Sequence, residues 1–231
     1  MVRRTKADAE ATRHQILDAA EAQFLARGVA HTTLQDVASA AGVTRGAIYW
    51  HFADKAALFN AMMERACLPC EASEGCDEAA CGGPLATLAA KALRPLRALA
   101  ENEQVQRAFR IAMHQTEYTE ELAAVQARYL EGIDEFQQEL VEVLRLARKD
   151  GLLREGLQLD VAALGLFALI DGLMHHWTLQ PGGFDLLACG QAAVQAYVSG
   201  LGTATTAATT AAPAAPARVS PARPARRVPS I

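Results

Sequence analysis

TLQDVASAAGVTRGAIYWHF, Thr33 to Phe52, is the stretch whose reading decides the fold. Thr33 followed three residues later by Asp36 is a capping-box pattern, in which a hydroxyl and a carboxylate satisfy the unpaired amides at a helix start. Leu34, Val37, Ala38 and Ala41 then recur at the spacing of one helical face. Gly42 supplies a sharp turn. Thr44 caps a second short helix whose Ala47 and Ile48 face inward. Two short helices joined by a tight glycine turn make a helix-turn-helix.

That reading accounts for the odd company of side chains in the second helix. Such a helix enters the major groove with its N-terminal residues toward base edges. Arg45 suits a bidentate contact to guanine, and Gly46 removes bulk where backbone approaches DNA. Thr44, Tyr49 and His51 bring donors for phosphate oxygens. Thr33 and Lys55 stand at helix starts, where amides and a cation favour phosphate. Trp50 reads either as a plate against the sugar-phosphate backbone or as a brace for the helix. The bland alternative is a surface helix of an α-bundle with Tyr49 and Trp50 half-buried.

Working outward, ATRHQILDAAEAQFLARG places Ile16, Ala20 and Phe24 on one face with Leu17 beside them, and stops at Gly28. Asp54 caps a fourth helix with Leu58, Phe59, Met62 and Met63 apolar. Pro69 to Pro84 is a break. A long amphipathic segment runs from about Leu85 to Met113, interrupted near Asn102. Another runs from about Glu120 to Lys149, with Leu130, Ile133, Phe136, Leu140 and Leu144 on one side. DVAALGLFALIDGLMHHW is nearly apolar throughout and is expected to be buried. Pro181 breaks the chain before a last helix, about Phe184 to Leu201. From Thr203 the tail holds five Pro, four Arg and no acid, and is expected to be disordered.

With 231 residues, 51% hydrophobic and rich in Ala and Leu, the chain is expected to be all-α with a sizeable core. No apolar run approaches ~18 residues and the start lacks an apolar signal region, so a cytoplasmic protein with no membrane partner is expected. The net charge of −4 divides as +1 over 1–60, −9 over 61–202 and +4 over 203–231. A near-neutral head on an acidic body is compatible with a head that meets a polyanion.

TLQDVASAAGVTRGAIYWHFADKAALF, Thr33 to Phe59, resembles the TetR family of bacterial transcriptional repressors, and the preceding TRHQILDAAEAQFLARGVAHTT fits its first helix. VRRTK, MHQTEY and FALIDGL…W are similar to the multidrug-efflux branch that includes TtgR and AcrR. The resemblance implies a three-helix DNA-binding head (1–55), a larger helical ligand-binding and dimerisation body (56–202) and the tail (203–231). It implies repression of an efflux operon, with release from double-stranded operator DNA by a small-molecule effector. Thr33, Thr44, Arg45, Gly46, Tyr49, Trp50, His51 and Lys55 carry over as DNA contacts, and Arg3, Arg4 and Lys6 as a basic arm or else a solvated start. The homodimer is expected through the last two helices, with Phe167 or its neighbours, Trp177, Tyr197, Val198 and Leu201 as surplus apolar surface. A two-fold dimer implies a pseudo-palindromic operator.

In the body, Asp171 is a carboxylate inside an apolar helix, costly unless paired or hydrogen-bonded. It is either a polar anchor for an amine or hydroxyl of an apolar ligand, or structurally paired with an Arg or a helix-end amide. Phe167, Ile170 and Met174 lie on the same helix. His114, with Met113 and Phe109 nearby, is either a core histidine or a polar group in the same ligand site. Soft methionines and aromatics suit varied aromatic drugs. Cys67, Cys70, Cys76 and Cys81 raise a second reading, a thiol- or metal-responsive regulator, against plain free cysteines. No nucleophile–base pair, phosphate loop or zinc-protease motif is present, so neither catalysis nor a cofactor is expected.

Overall fold

A computed structural model describes residues 6–71, 82–117 and 119–203, without the side chains of 67–71. The described residues are helical: α1 Lys6–Arg27, α2 Leu34–Ala40, α3 Arg45–His51, α4 Lys55–Glu71, α5 Pro84–Glu101, α6 Glu103–His114, α7 Ala123–Lys149, α8 Leu159–Leu179 and α9 Leu186–Leu201, with a 3-10 turn Glu120–Leu122 before α7. The all-α class is as expected. Arg3 and Arg4, the side chains of Cys67 and Cys70, all of Cys76 and Cys81, and the tail beyond Thr203 lie outside the described residues.

The local signals act where the sequence puts them. Thr33 and Asp36 make both bonds of the capping box. Thr44 accepts from the Ala47 amide, and Asp54 from the Ala57 amide at 2.7 Å. Asn102 separates α5 from α6 and accepts from the amides of Gln104 and Val105.

Two apolar cores result. One joins α1 to α4 around Ile16, Phe24, Val37, Ile48, Leu58 and Met62, and takes in Ile111 of α6, Leu122 of the 3-10 turn and Val125 of α7. The other joins α5 to α9 around Leu88, Leu96, Leu140, Leu144, Leu166 and Ile170. Helix α6 serves both, with Val105 in the second core and Ile111 in the first.

Helix α8 departs from expectation twice. It is long and apolar enough to cross a membrane by length and composition, although Asp171 interrupts the run that a sequence scan follows. It packs instead against α5, α6, α7 and α9. Nor is it buried all round: Val161 is 60% exposed, Leu164 52% and Leu179 60%. Conversely, Trp177, Val198 and Leu201, expected as surplus dimer surface, fill the protomer's own second core. Tyr197 is turned inward too, donating its hydroxyl to the Ala162 carbonyl at 2.9 Å.

Close helix approach fixes the body. A Cβ on Gly190 of α9 would stand 2.4 Å from Cδ1 of the buried Leu96 on α5. Gly190→Ala is expected to destabilise by roughly 1–2 kcal/mol, overpacking outweighing better helix propensity. Gly132→Ala on α7, with nothing within 4 Å of the new Cβ, is expected to stabilise by roughly 0.5–1 kcal/mol. Denaturant midpoints check both, and equal signs would contradict the packing argument.

Candidate DNA-reading head and ligand-sensing seam

The turn between α2 and α3 is held from several sides. Gly42 takes φ +65°, the left-handed region. Val43 N–H donates to the Ala38 carbonyl at 3.0 Å, and Gln15 of α1 donates its side-chain amide to the Ala41 carbonyl at 2.7 Å. Ile48 is fully buried and pins α3. The opposite face is presented to solvent, with Arg45 and Gly46 exposed, Tyr49 48% exposed and Trp50 72% exposed. A large indole so open is not bracing the helix against the core.

Arg45 and Tyr49, one turn apart, hold each other. The guanidinium lies over the ring 5.5 Å from its centroid and donates to the hydroxyl at 3.4 Å. Half-buried His51 meets Trp50 edge-on at 4.5 Å between centroids. A cleft of about 300 Å³ separates Ala9 of α1 from Ala47, Trp50 and His51. Thr44 accepts from the Ala47 amide, and its own proton has no acceptor among the described residues, so it is free to donate to a phosphate oxygen.

Two of the residues expected to touch DNA are already engaged. Both the hydroxyl and the amide of Thr33 donate to Oδ2 of Asp36, at 2.6 and 2.9 Å. Those bonds, and secondarily Arg27, hold the Asp36 carboxyl below its ordinary pKa. Lys55 departs further from expectation. Its side chain is 6% exposed, and its ammonium donates to the carbonyls of Ala30 and Thr32 and pairs with Glu121. A buried cation needs such partners, which takes this ammonium off the solvent face.

The residues expected to sense a ligand meet along one seam between α6, α7 and α8. Ile170 and Met174 are buried, and Phe109, Met113, His114, Phe167 and Asp171 are partly so. His114 Nε2 lies 2.9 Å from the Thr178 hydroxyl, which also donates to the Met174 carbonyl at 2.9 Å and lies 3.7 Å from the Met113 sulfur. His175 stacks obliquely on His114 at 4.8 Å. Burial, then His175 and Arg110, pushes His114 below its ordinary pKa. Phe167 meets Phe136 of α7 edge-on at 6.4 Å. Thr178, His175 and Phe136 are members the sequence did not single out as site residues. Thr178 stands one turn beyond Met174, a spacing that could have found it.

Asp171 hydrogen-bonds to none of the described residues, and no Arg among them pairs with it. Burial raises its carboxyl pKa, opposed by His175. The seam's apolar residues pack against the second core, and two open clefts lie elsewhere. One is the cleft beside α3, and the other, about 510 Å³, lies beside Arg145, Arg148 and the start of α8.

Helix α6 connects seam to head. Glu21 of α1 is buried between Arg65 of α4, at 3.1 Å, and Arg107 of α6. Arg65 also reaches Asp18 at 2.6 Å. At the far end of α6, the Gln115 carbonyl accepts from Val29 N–H at 2.8 Å. Gly28, next to Val29, takes φ +82°, the left-handed region that favours glycine.

A raised carboxyl pKa means the native state holds the Asp171 proton more tightly than the unfolded chain does. The stability this contributes is fully present below the unfolded value of 3.8 and is lost as pH rises through the folded value. Asp171→Asn is therefore expected to raise the denaturant midpoint at pH 7, with the gain shrinking as pH falls toward 3.8. An equal gain at both pH values would mean burial of the charge is not its source.

Comparison with known proteins agrees with this arrangement. The family "Bacterial regulatory proteins, tetR family" matches residues 16–62, and "MAATS-type transcriptional repressor, C-terminal region" matches residues 83–202. The chain is 38% identical over 191 residues to the HTH-type transcriptional regulator TtgR of Pseudomonas putida, covering 81% of this chain and 90% of TtgR. It is similar to the crystal structure of NalD, the secondary repressor of the MexAB-OprM multidrug efflux pump in Pseudomonas aeruginosa. There the TM-score is 0.77 and the identity 36%, over 87% of this chain and 100% of that one. A complex of SmeT with triclosan is similar at TM-score 0.69 and 30% identity, over 89% and 99%; SmeT is the repressor of the Stenotrophomonas maltophilia efflux pump SmeDEF. Nothing in these likenesses supports a thiol or metal sensor. The chain belongs to the TetR family of bacterial transcriptional regulators.

Proposed function

We propose that this chain represses a multidrug efflux operon, gripping a pseudo-palindromic operator as a homodimer and releasing it when a small apolar or aromatic compound enters the seam between α6, α7 and α8. The observation that carries this reading is the double duty of α6. Ile111 on one face closes the head core, while Phe109, Met113 and His114 border the seam. Since the seam is packed, a ligand must part it, and α6 cannot shift without disturbing Glu21, Arg65 and the Val29 amide. Triclosan in SmeT is a compact chlorinated phenol, the kind of compound such a seam would take. Asp171 would receive its hydroxyl, or the amine of a cationic drug.

The head would be 1–55 and the sensing and pairing unit 56–202, with α4 serving both because Leu58, Phe59 and Met62 lie in the head core. DNA would be read by Thr44, Arg45, Gly46, Tyr49, Trp50 and His51. Pairing would use the uncovered apolar face of α8, at Val161, Leu164 and Leu179, with the exposed small residues Ala188, Ala192 and Ala196 of α9. A regulator of this kind works in the cytoplasm and needs no catalysis.

Fluorescence anisotropy on DNA upstream of its own gene, at fixed salt, tests the reading. Arg45→Ala is expected to weaken specific binding by about 1–3 kcal/mol, roughly 5- to 150-fold, with little change on unrelated DNA. Triclosan is expected to release the wild type. Arg45→Ala indistinguishable from wild type would sink the assignment of α3 as the reading helix.

A further inference from the structure

Arg45 opens α3 with its charge uncancelled. Two other arginines of the head are paired with carboxylates, Arg27 with Asp36 at 3.5 Å and Arg65 with Asp18 at 2.6 Å. No carboxylate among the described residues pairs with Arg45. Its partner is the neutral Tyr49, one turn on. Nη2 donates to the phenol oxygen at 3.4 Å, a long bond. The ring, its centroid 5.5 Å from the guanidinium carbon, supplies the rest of the hold. A carboxylate in its place would cancel the charge and repel the phosphates beside the groove. A tyrosine orders the arginine and leaves its charge for DNA.

The hold also leaves the reading edge open. A guanidinium has five N–H donors. One proton of Nη2 goes to Tyr49. The other, with those of Nη1, keeps the end-on fork that fits O6 and N7 of guanine. The phenol oxygen accepts in this pair, so its own proton stays available for a phosphate oxygen. Both side chains stand on the exposed face of α3, while Ile48 is buried and fixes the helix beneath them.

We propose that Tyr49 determines specificity through Arg45, holding the guanidinium in the pose that reads guanine while touching no base itself. The inference rests on the reading of α3 as the helix that enters the major groove. An arginine without this hold loses more rotamer freedom on binding and reaches a nearby phosphate as readily as a base edge. Tyr49 is therefore a positioning residue as well as a phosphate donor. The first role acts at one base pair, and the second acts equally on every sequence.

Anisotropy at fixed salt separates the two roles, using the full-length protein on a site it selects from a random-sequence pool and on single-base-pair variants of that site. Arg45→Ala marks the contacted pair as the position whose replacement it no longer penalises. At that pair, discrimination by Tyr49→Phe is expected to fall about two- to tenfold below wild type. Tyr49→Leu, which loses the ring too, is expected to fall at least as far. Discrimination elsewhere in the site is expected to be unchanged. The affinity cost of Tyr49→Phe is expected to be smaller in an Arg45→Ala background. A cost uniform across all variants and equal in both backgrounds leaves Tyr49 a phosphate contact only and overturns the proposal. In the free protein, nitrogen-15 relaxation at Arg45 Nε is expected to show an order parameter lower by at least about 0.2 in Tyr49→Leu. Unchanged order overturns the hold, whatever the DNA results. Wild-type protein that selects no site, or Arg45→Ala that alters no position, refutes the reading of α3 instead, and the order parameter still decides whether Tyr49 positions Arg45.

Discussion

A helix of seven residues has no stability of its own in water, because the cost of nucleation exceeds what so few hydrogen bonds return. Helices α2 and α3 are both that short. They exist because Val37, Ala38 and Ile48 are packed by Ile16, Phe24, Leu58 and Met62, and because Ile111, Leu122 and Val125 reach in from later in the chain to finish the core. Each fully buried aliphatic side chain contributes about 1.5–3 kcal/mol. Three of them amount to a sizeable part of the margin by which a typical domain is stable. The surface that reads DNA is thus conditional on the position of α6, the 3-10 turn and α7. Communication between body and head needs no special pathway when they share a core.

Two carboxylates removed from water are treated in opposite ways. Glu21 is clamped by arginines from α4 and α6. Breaking that clamp would strand a charge, so it resists movement. Asp171 has no such partner, and its response to burial is a raised pKa. The first arrangement suits a joint that transmits displacement. The second suits a group awaiting a donor from outside the protein, with Thr178 and His114 already satisfied beside it.

How much of this was legible in the sequence follows from how far apart the partners are. The caps Thr33–Asp36, Thr44 and Asp54 act within three residues and were readable, while at Asn102 the sequence showed only an interruption. The exposure of Tyr49 and Trp50 followed from the inward spacing of Ala47 and Ile48. The burial of Lys55 was not readable, because its carboxylate lies beyond two further helices and no local rule links Lys55 to Glu121. The facing of α8 and α9 was illegible for a different reason. Where nearly every residue is apolar, periodicity carries no signal, and only packing decides that Trp177 turns in while Leu164 turns out. The closed seam was likewise invisible, since Phe136 and Phe167 suit a lined pocket and a filled one equally.

The exit of the chain from the body has its own consequence. Arg154 donates to the Leu201 carbonyl and Thr203 to the Leu152 carbonyl, both at 3.0 Å, so the end of α9 is stitched to the loop that follows α7. That loop stands at the opposite end of α7 from the 3-10 turn, a helix of 27 residues away, or about 40 Å. Cargo fused after Thr203, whether a fluorescent reporter or a surface anchor, would therefore sit well clear of the operator. The same cargo placed before Lys6 would crowd the cleft between Ala9 and Trp50. A sensor built from this protein should be tethered by its C-terminal end.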